Sequence, residues 1–328
     1  MFGEHRVAMK TRCCFALPFP RAPRPSTKHA TLITVHKLSA SMRYYPFTEK
    51  RRALWEKEGR GTGTQDSWNA WLHRGDFSST GNQSIQPAYA GNRLLHWFSS
   101  LENNFFLIAR TSPSTVWVQD QVPHDRELSR RLCRKLGIQH PMDPDSRVDI
   151  VMTTDCVIHK RDSTGKIIRM PRSVKPGKSL QEHNQTEHAE IERLLWLEQG
   201  EELRFYSENS LGPPNLLKNA EKLYMHRDMD AQTFTLGYPG GFEAAADVVH
   251  GEILRASSSN QGLYDFTALL NERRGWPPGT ATSIALFLLD RHRLRARLDS
   301  HLLDVYPVAE IATRTCEQEG RTLAVHAA

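Results

Sequence analysis

The sequence predicts an α/β protein in which a strand-containing first part is followed by a mostly helical second part. Residues 148–160 are rich in β-branched side chains, and the turn sequence of residues 161–166 leads into a second strand that ends at Pro176. This order is typical of a β-hairpin. Later in the chain, apolar residues recur at helical spacing, most clearly over residues 263–272. A hairpin between helices, followed by helices alone, supports the α/β prediction.

The other elements follow from periodicity and from helix-ending residues. The apolar positions of residues 94–108 repeat near every 3.6 residues, and Gly137 ends a basic helical segment. The sequence therefore predicts helices over 48–58, 94–108, 127–136, 185–199 and 215–230, a strand over 114–122, and a strand that runs into a loop over 203–212.

The second part, residues 226–328, contains a helix, a break at the Pro-Gly sequence of residues 275–280, and a further helix that becomes basic from Arg291. With the segment 294–300 after it, this order resembles a helix-turn-helix followed by a wing. Many such units bind protein rather than DNA. We predict a mostly helical, winged-helix-like domain here and a first domain over residues 43–225.

Length and composition limit the class of protein. The chain has 328 residues, enough for about two domains. It has no run of about 18 apolar residues, so we expect no transmembrane helix and no membrane partner. The five cysteines lack Cys-x-x-Cys spacing. This argues against a zinc ribbon or a disulfide scaffold and fits a reducing cytoplasm.

The first 41 residues differ from the rest of the chain in charge. They contain seven Lys or Arg and one acidic residue, so their net charge of +6 equals the formal net charge of the whole chain. From Met42 onward, 36 basic residues balance 36 acidic ones. We predict that residues 1–42 are a disordered or non-native leader, with Met42 as the expected start, and a DNA-grasping arm is the alternative. The basic net charge is therefore poor evidence for DNA binding.

Three residues have the side chains that phosphodiester hydrolysis needs. Asp155 and Lys175 lie 20 residues apart on the two arms of the hairpin, and Glu102 lies on the preceding helix. Carboxylates on separate elements suit Mg²⁺, and a nearby Lys orients water or offsets transition-state charge. Each residue also has an ordinary interpretation. Glu102 fits the exposed edge of a helix, and Asp155 and Lys175 fit a surface ion pair.

Three segments in the first part of the chain are the most specific: VMTTDCVI, SVKPGKSL and AEIERLLW, at residues 151–158, 173–180 and 189–196. In this order they resemble segments of TnsA, the family of endonuclease subunits of Tn-seven-like transposons. The upstream segments GRGTG, DFSSTGN, SSLENNFFL and IQHP are also similar to family segments. Each segment alone is weak, and the resemblance rests on their order over about residues 43–225.

The resemblance implies a restriction-endonuclease-like core, a mixed sheet flanked by helices. It further implies Mg²⁺-dependent cleavage of the 5′ strands of double-stranded DNA at transposon ends, with Mn²⁺ expected to substitute. By this resemblance Glu102 and Asp155 hold the metal, and Lys175 is the catalytic lysine. The implied partners are a DDE transposase, TnsB, which cuts the 3′ strands, and an AAA-type ATPase, TnsC, which binds the carboxy-terminal domain. The implied location is the bacterial cytoplasm.

One position departs from the family pattern. Two residues before Lys175, where the family has Gln and related nucleases have Asp or Glu, this chain has Ser173. A serine hydroxyl is a weak metal ligand, so the backbone carbonyl of Val174 or the carboxylate of Glu192 is expected to support the metal. Glu192 equally fits a helix-face Glu paired with a nearby Arg. Two other functions therefore stay open: a stand-alone restriction or repair nuclease, and a non-catalytic adaptor that bridges transposase and ATPase.

Overall fold

The computed structural model describes residues 46–76, 82–88, 93–179, 183–228 and 238–311. The predicted leader at residues 1–42 lies outside these ranges. Residues Met42–Ala328 group as one compact unit, and the division of this unit near residue 225 stays a prediction. No helix within the described ranges is long and apolar enough to span a bilayer.

A mixed four-stranded sheet lies at the centre of the first part. Its strands are β3 (Thr115–Pro123), β4 (Thr153–Arg161), β5 (Ile167–Val174) and β6 (Arg204–Tyr206). They follow the order β3–β4–β5–β6, with antiparallel β3–β4 and β4–β5 pairs and a parallel β5–β6 pair. The predicted hairpin is confirmed as β4 and β5, and the Asp162 backbone N–H donates to the Lys166 carbonyl in the turn between them.

Helices cover both faces of this sheet. Phe105 and Leu107 of one helix and Ala220 of another pack on one face, and Trp196 packs against Val157 on the other. The predicted α/β core, a mixed sheet flanked by helices, is therefore confirmed. The helices of this part are α1 (Glu49–Lys57), α2 (Ser100–Arg110), α3 (Arg126–Leu136), α4 (His183–Leu197) and α5 (Pro214–Met225).

The helix predicted over residues 94–108 is wrong in its first part. Leu94–Trp97 is a strand, β2, which pairs antiparallel with β1, Ser84–Pro87. Helix α2 starts only after Ser99, whose hydroxyl accepts a hydrogen bond from the Glu102 amide as an N-cap. Leu95 and Trp97 are buried, so the same apolar residues also satisfy the two-residue period of a strand.

The second part is helical where the structure describes it. Ile253, Leu270 and Leu288 belong to one shared core of its helices, and this core also includes Leu223 of α5. The helical prediction is confirmed, but the expected wing at residues 294–300 is irregular backbone that ends in a turn, with no strand in the described range 238–311. Its helices are α6 (Gly241–Arg255), α7 (Leu263–Arg274), α8 (Thr280–Asp290) and α9 (Val308–Ile311).

Candidate active site

Asp155 and Lys175 form an ion pair at one end of the sheet. Asp155 lies on β4, and Lys175 follows the last residue of β5. The Lys175 Nζ atom lies 3.1 Å from Asp155 Oδ1 and 2.9 Å from Oδ2. The Val174 amide also donates to Asp155 Oδ2, at 2.7 Å. The alternative expectation that Asp155 and Lys175 form a surface ion pair is wrong, because the Asp155 side chain is only 10% exposed.

Glu102 reaches this end of the sheet from the first turn of α2. Its carboxylate accepts hydrogen bonds from the Phe98 amide at 3.0 Å and from the Ser99 hydroxyl at 2.9 Å. The side-chain amide of Gln121 donates to Glu102 Oε2 at 3.4 Å. Glu102 is buried, so it does not lie on an exposed helix edge. Its contacts with Phe98 and Ser99 also complete a capping arrangement, which gives it a structural role beside any chemical one.

Glu192 brings a third carboxylate to the cluster from the opposite face. It lies on α4 and is buried. The Thr154 hydroxyl donates to Glu192 Oε1 at 2.7 Å, and the Ser173 hydroxyl donates to Oε2 at 3.0 Å. The arginine next to it, Arg193, pairs with a different residue, Glu190. These contacts disagree with the surface interpretation of Glu192 and place it beside Ser173, the position that departs from the family pattern.

The cluster contains more negative than positive charge. Burial raises the pKa of Glu102 to about 7, and the charge of Asp155 adds to the rise. Burial likewise raises the pKa of Glu192 to about 7, against the opposing charge of Lys175. For Lys175 burial alone would lower the pKa, but Asp155, Glu192 and Glu102 outweigh it and raise the pKa above its ordinary value. Lys175 therefore stays charged, and among the residues that the structure describes no second cation pairs with these carboxylates.

Strand β3 changes face at Gln121, next to this cluster. Val118 packs in the core under α2, whereas Val122 packs against Trp196 of α4. Residues at even separation share one face in a regular strand. Gln121 lies between them with a φ of +47°, a left-handed value that is uncommon for residues with a side chain. The β3–β4 register places Gln121 opposite Asp155, so the distortion falls where carboxylates from both faces converge.

The donor chemistry of the cluster fits a hard divalent cation such as Mg²⁺. Asp155, Glu102 and Glu192 offer carboxylate oxygens, and their excess negative charge would be offset by a cation. Within the described residues, however, no group of three or more His, Cys, Asp or Glu is arranged to hold a metal. Lys175 instead contacts both oxygens of Asp155. The metal roles of Ser173 and of the Val174 carbonyl stay predictions.

A cleft of about 460 Å³ opens beside the cluster. Lys175, Glu192 and Thr153 lie on its wall, and the rest of the wall is largely apolar, with Leu72 and Val151 as examples. This cleft gives a route by which a substrate could reach Lys175 from outside. The wall does not include Glu102 or Asp155, both of which are buried.

Comparisons with known proteins do not identify a family. No family model matches this chain, and no curated protein shows significant similarity to it. The resemblance to TnsA therefore rests on the ordered segments of the sequence.

Sequence reasoning missed several polar residues around the cluster. Gln121 contacts Glu102, and Thr154 contacts Glu192, but neither has a spacing that marks it as functional. His124 lies 2.9 Å from the Thr154 hydroxyl, and burial lowers the pKa of His124 to about 4, so it is neutral at pH 7. The position of Glu102 at the start of a helix could have been predicted, because Ser99 and Glu102 have the S-x-x-E spacing of a capping box.

Proposed function

We propose that this protein is a metal-dependent DNA endonuclease with a restriction-endonuclease-like core, which cuts the 5′ strands at transposon ends. The observation that carries the proposal is the convergence of Asp155, Lys175 and Glu102, joined by Glu192, at one end of the mixed sheet. These residues come from β4, from the residue after β5, and from α2 and α4. Isolated surface charges would not gather in a buried cluster.

The arrangement of the elements supports the same proposal. The TnsA resemblance implies a mixed sheet flanked by helices, and β3–β6 with α2, α4 and α5 form such a core. Asp155 lies on β4, and Lys175 directly follows β5, the antiparallel partner of β4 in the hairpin. This arrangement is consistent with the restriction-endonuclease-like fold.

In this proposal each side chain has a distinct role. Lys175 remains protonated and supplies a fixed positive charge for a phosphate oxygen or for the attacking water. Asp155 holds Lys175 in place, and Asp155 with Glu102 and Glu192 would hold Mg²⁺. When bound, the metal would activate water and offset charge on the leaving oxygen. Glu192 fills the place left open by the short side chain of Ser173.

The partners are proposed on the resemblance alone. We infer that a DDE transposase delivers the DNA ends and that an AAA-type ATPase binds the helical part at residues 226–328. The described residues include basic ones in this part, but Arg293 already pairs with Glu243 and Asp247. Since the chain is electrically balanced from Met42 onward, weak binding to DNA alone is expected.

The central test is Asp155→Ala. This change removes the acceptor of Lys175 and of the Val174 amide, so 5′-strand cleavage should fall by at least about 100-fold. Cleavage is measured on donor DNA carrying transposon ends, in the presence of the proposed DDE transposase partner. The matched control is Asp66→Ala, since Asp66 is exposed outside the cluster, and it should retain cleavage. Wild-type cleavage by Asp155→Ala would show that the site assignment is wrong.

The same assay separates the stand-alone nuclease from the proposed one. A transposon-end nuclease that depends on delivery should be nearly inactive when the purified protein and DNA are mixed alone. Efficient cleavage without any transposase would favour a restriction or repair enzyme with the same cluster.

A non-catalytic adaptor is the second candidate, and one observation favours it. Lys175 contacts both oxygens of Asp155, and the described residues contain no ready-made group of metal ligands. An adaptor should show no Mg²⁺ or Mn²⁺ binding that Asp155→Ala removes. Calorimetric titration of the wild-type and variant proteins distinguishes the two candidates, because the nuclease should bind Mn²⁺ and lose that binding in the variant.

A further inference from the structure

The Thr154 hydroxyl lies at the centre of a buried hydrogen-bond network behind Glu192. It lies 2.7 Å from Glu192 Oε1, 2.7 Å from the Trp196 indole nitrogen, and 2.9 Å from His124 Nε2. Thr154 is 0% exposed, Trp196 1% and Glu192 5%. The network therefore lies in the interior, where each unpaired polar group is costly.

The capacity of a hydroxyl group fixes the direction of each bond. A hydroxyl donates one hydrogen bond and accepts two, and an indole N–H only donates. Trp196 therefore donates to Thr154, and when Glu192 is ionised, as a metal ligand must be, the single Thr154 proton points to its carboxylate. His124 must then donate from Nε2, which assigns its Nε2–H tautomer. Both acceptor sites of the Thr154 oxygen are filled, so its proton has one direction left.

We propose that Thr154, held by Trp196 and His124, is a positioning residue that aims the Glu192 carboxylate at the metal-binding cluster. The Ser173 hydroxyl holds the second oxygen of Glu192, so the carboxylate is fixed at both ends. Thr154 does not itself touch a reacting group. It acts through Glu192, and in this respect the proposal rests on the proposed function.

The geometry explains how Glu192, a residue of helix α4, is held at a site formed at the end of the sheet. Thr154 precedes Asp155 on β4, yet its side chain contacts Trp196 and Glu192 on α4. Cys156, two residues later, packs under α2 on the other face of the sheet. This change of face around Asp155 places the Thr154 hydroxyl on the α4 side of the sheet, beside Glu192.

The test compares Thr154→Val with Thr154→Ser. Valine keeps the shape and removes the hydroxyl, whereas serine keeps the hydroxyl. Thr154→Val should weaken Mn²⁺ binding by about 10- to 100-fold, the usual effect of losing a group that orients a metal ligand. Thr154→Ser should stay within about threefold of wild type. Binding is measured by calorimetry on the full chain, with no DNA present.

The matched control is Thr267→Val. Thr267 is also fully buried, and its hydroxyl bonds to Leu263 and Thr282 in the helical part. This variant loses a buried hydroxyl away from the cluster, so it should keep wild-type Mn²⁺ affinity. An equal loss of affinity in Thr267→Val would reduce the effect at Thr154 to general destabilisation and overturn the proposal. Wild-type affinity in a folded Thr154→Val protein would overturn it as well.

A second measurement works without metal. The urea midpoints of wild type, Thr154→Val, Glu192→Leu and the double variant should be non-additive, because each single change removes the same Thr154–Glu192 hydrogen bond. Additive midpoints would overturn the positioning role. If wild type binds no Mn²⁺ but the midpoints are non-additive, the proposed function fails while the Thr154–Glu192 contact stands.

If Thr154→Val does not fold, His124→Phe replaces it and should weaken Mn²⁺ binding at least about threefold, since one donor to Thr154 is lost.

Discussion

At the residue scale, the main feature of the site is its unbalanced charge. Glu102 and Glu192 are buried on opposite sides of the Asp155–Lys175 pair, and Lys175 contributes the one cation in contact with Asp155 that the described residues show. A buried carboxylate without a full counter-charge holds its proton more tightly. Keeping these groups together therefore lowers the stability of the folded protein at neutral pH, which is common at functional sites.

This charge predicts how stability depends on pH without metal. The pKa of Glu102 and of Glu192 rises from 4.5 to about 7 on folding, so the folded state binds protons that the unfolded state has released. Stability should therefore be highest below about pH 4.5 for these groups and should fall as pH rises towards 7. Glu102→Gln and Glu192→Gln should each stabilise the protein by about 1–3 kcal/mol at pH 8 and much less at about pH 5.

Urea unfolding in the presence of a chelator measures this effect. Glu272→Gln is the control, because Glu272 is exposed on α7 and should show the same stability as wild type at both pH values. A stability gain of equal size at both pH values would argue against titration of the buried carboxylates. Saturating Mn²⁺ should reverse the order at pH 8, since binding to the folded state stabilises wild type.

How much of the site the sequence predicts differs between its residues. The closeness of Asp155 and Lys175 could be predicted from the sequence because a hairpin turn lies between them, and the structure brings them into direct contact. The contacts of Gln121 and Thr154 could not be predicted from residue spacing. Their contacts depend on two changes of face, one in β3 at Gln121, where φ is positive, and one in β4 near Asp155, and no local sequence pattern signals either. Tertiary packing decided these contacts.

At the element scale, helix α2 shows how one segment satisfies two periods. Residues 94–108 have helical spacing, but the Ser99 cap stops the helix from extending backwards to Leu94. Glu102 consequently lies in the first turn, not in the middle of a longer helix. Its carboxylate is directed back to Phe98 and Ser99 and towards Gln121. The start of α2 therefore sets the position of Glu102.

This dependence predicts different outcomes for two helix caps. Ser99→Ala removes the cap of α2, and Asp125→Ala removes the cap of α3, where Asp125 accepts from the Leu128 amide at 2.6 Å. Each should cost about 1 kcal/mol of stability. Ser99→Ala should also reduce Mn²⁺ affinity and DNA cleavage, because Glu102 loses the Ser99 hydroxyl. Asp125→Ala should change neither.

The pair of variants separates capping from function. Urea unfolding measures the shared stability loss, and calorimetry measures Mn²⁺ binding. If both variants lose the same stability and neither changes metal binding, the first turn of α2 has a structural role alone. If both reduce metal binding equally, general destabilisation explains the effect.

At the scale of the whole molecule, α2 also connects the sheet to the helical part. The last residue of α2, Arg110, forms a buried ion pair with Asp290 at the end of α8, with 2.8 Å between Nη2 and Oδ1. The two side chains are only 2% and 3% exposed. Burial raises the pKa of Asp290, and Arg110 opposes the rise. One helix thus carries Glu102 at its start and a contact with α8 at its end.

Removing one partner of this pair should be far more harmful than removing both. Arg110→Met leaves the Asp290 carboxylate buried without this cation, which should cost about 3–5 kcal/mol in urea unfolding at pH 7. The double variant Arg110→Met/Asp290→Leu replaces the pair by apolar side chains and should recover most of that loss. Arg193→Met is the control: its pair with Glu190 is exposed to solvent, so the change should have little effect on the urea midpoint. Additive losses at Arg110 and Asp290, or a loss no larger than the control, would show that the buried pair does not stabilise the junction between α2 and α8.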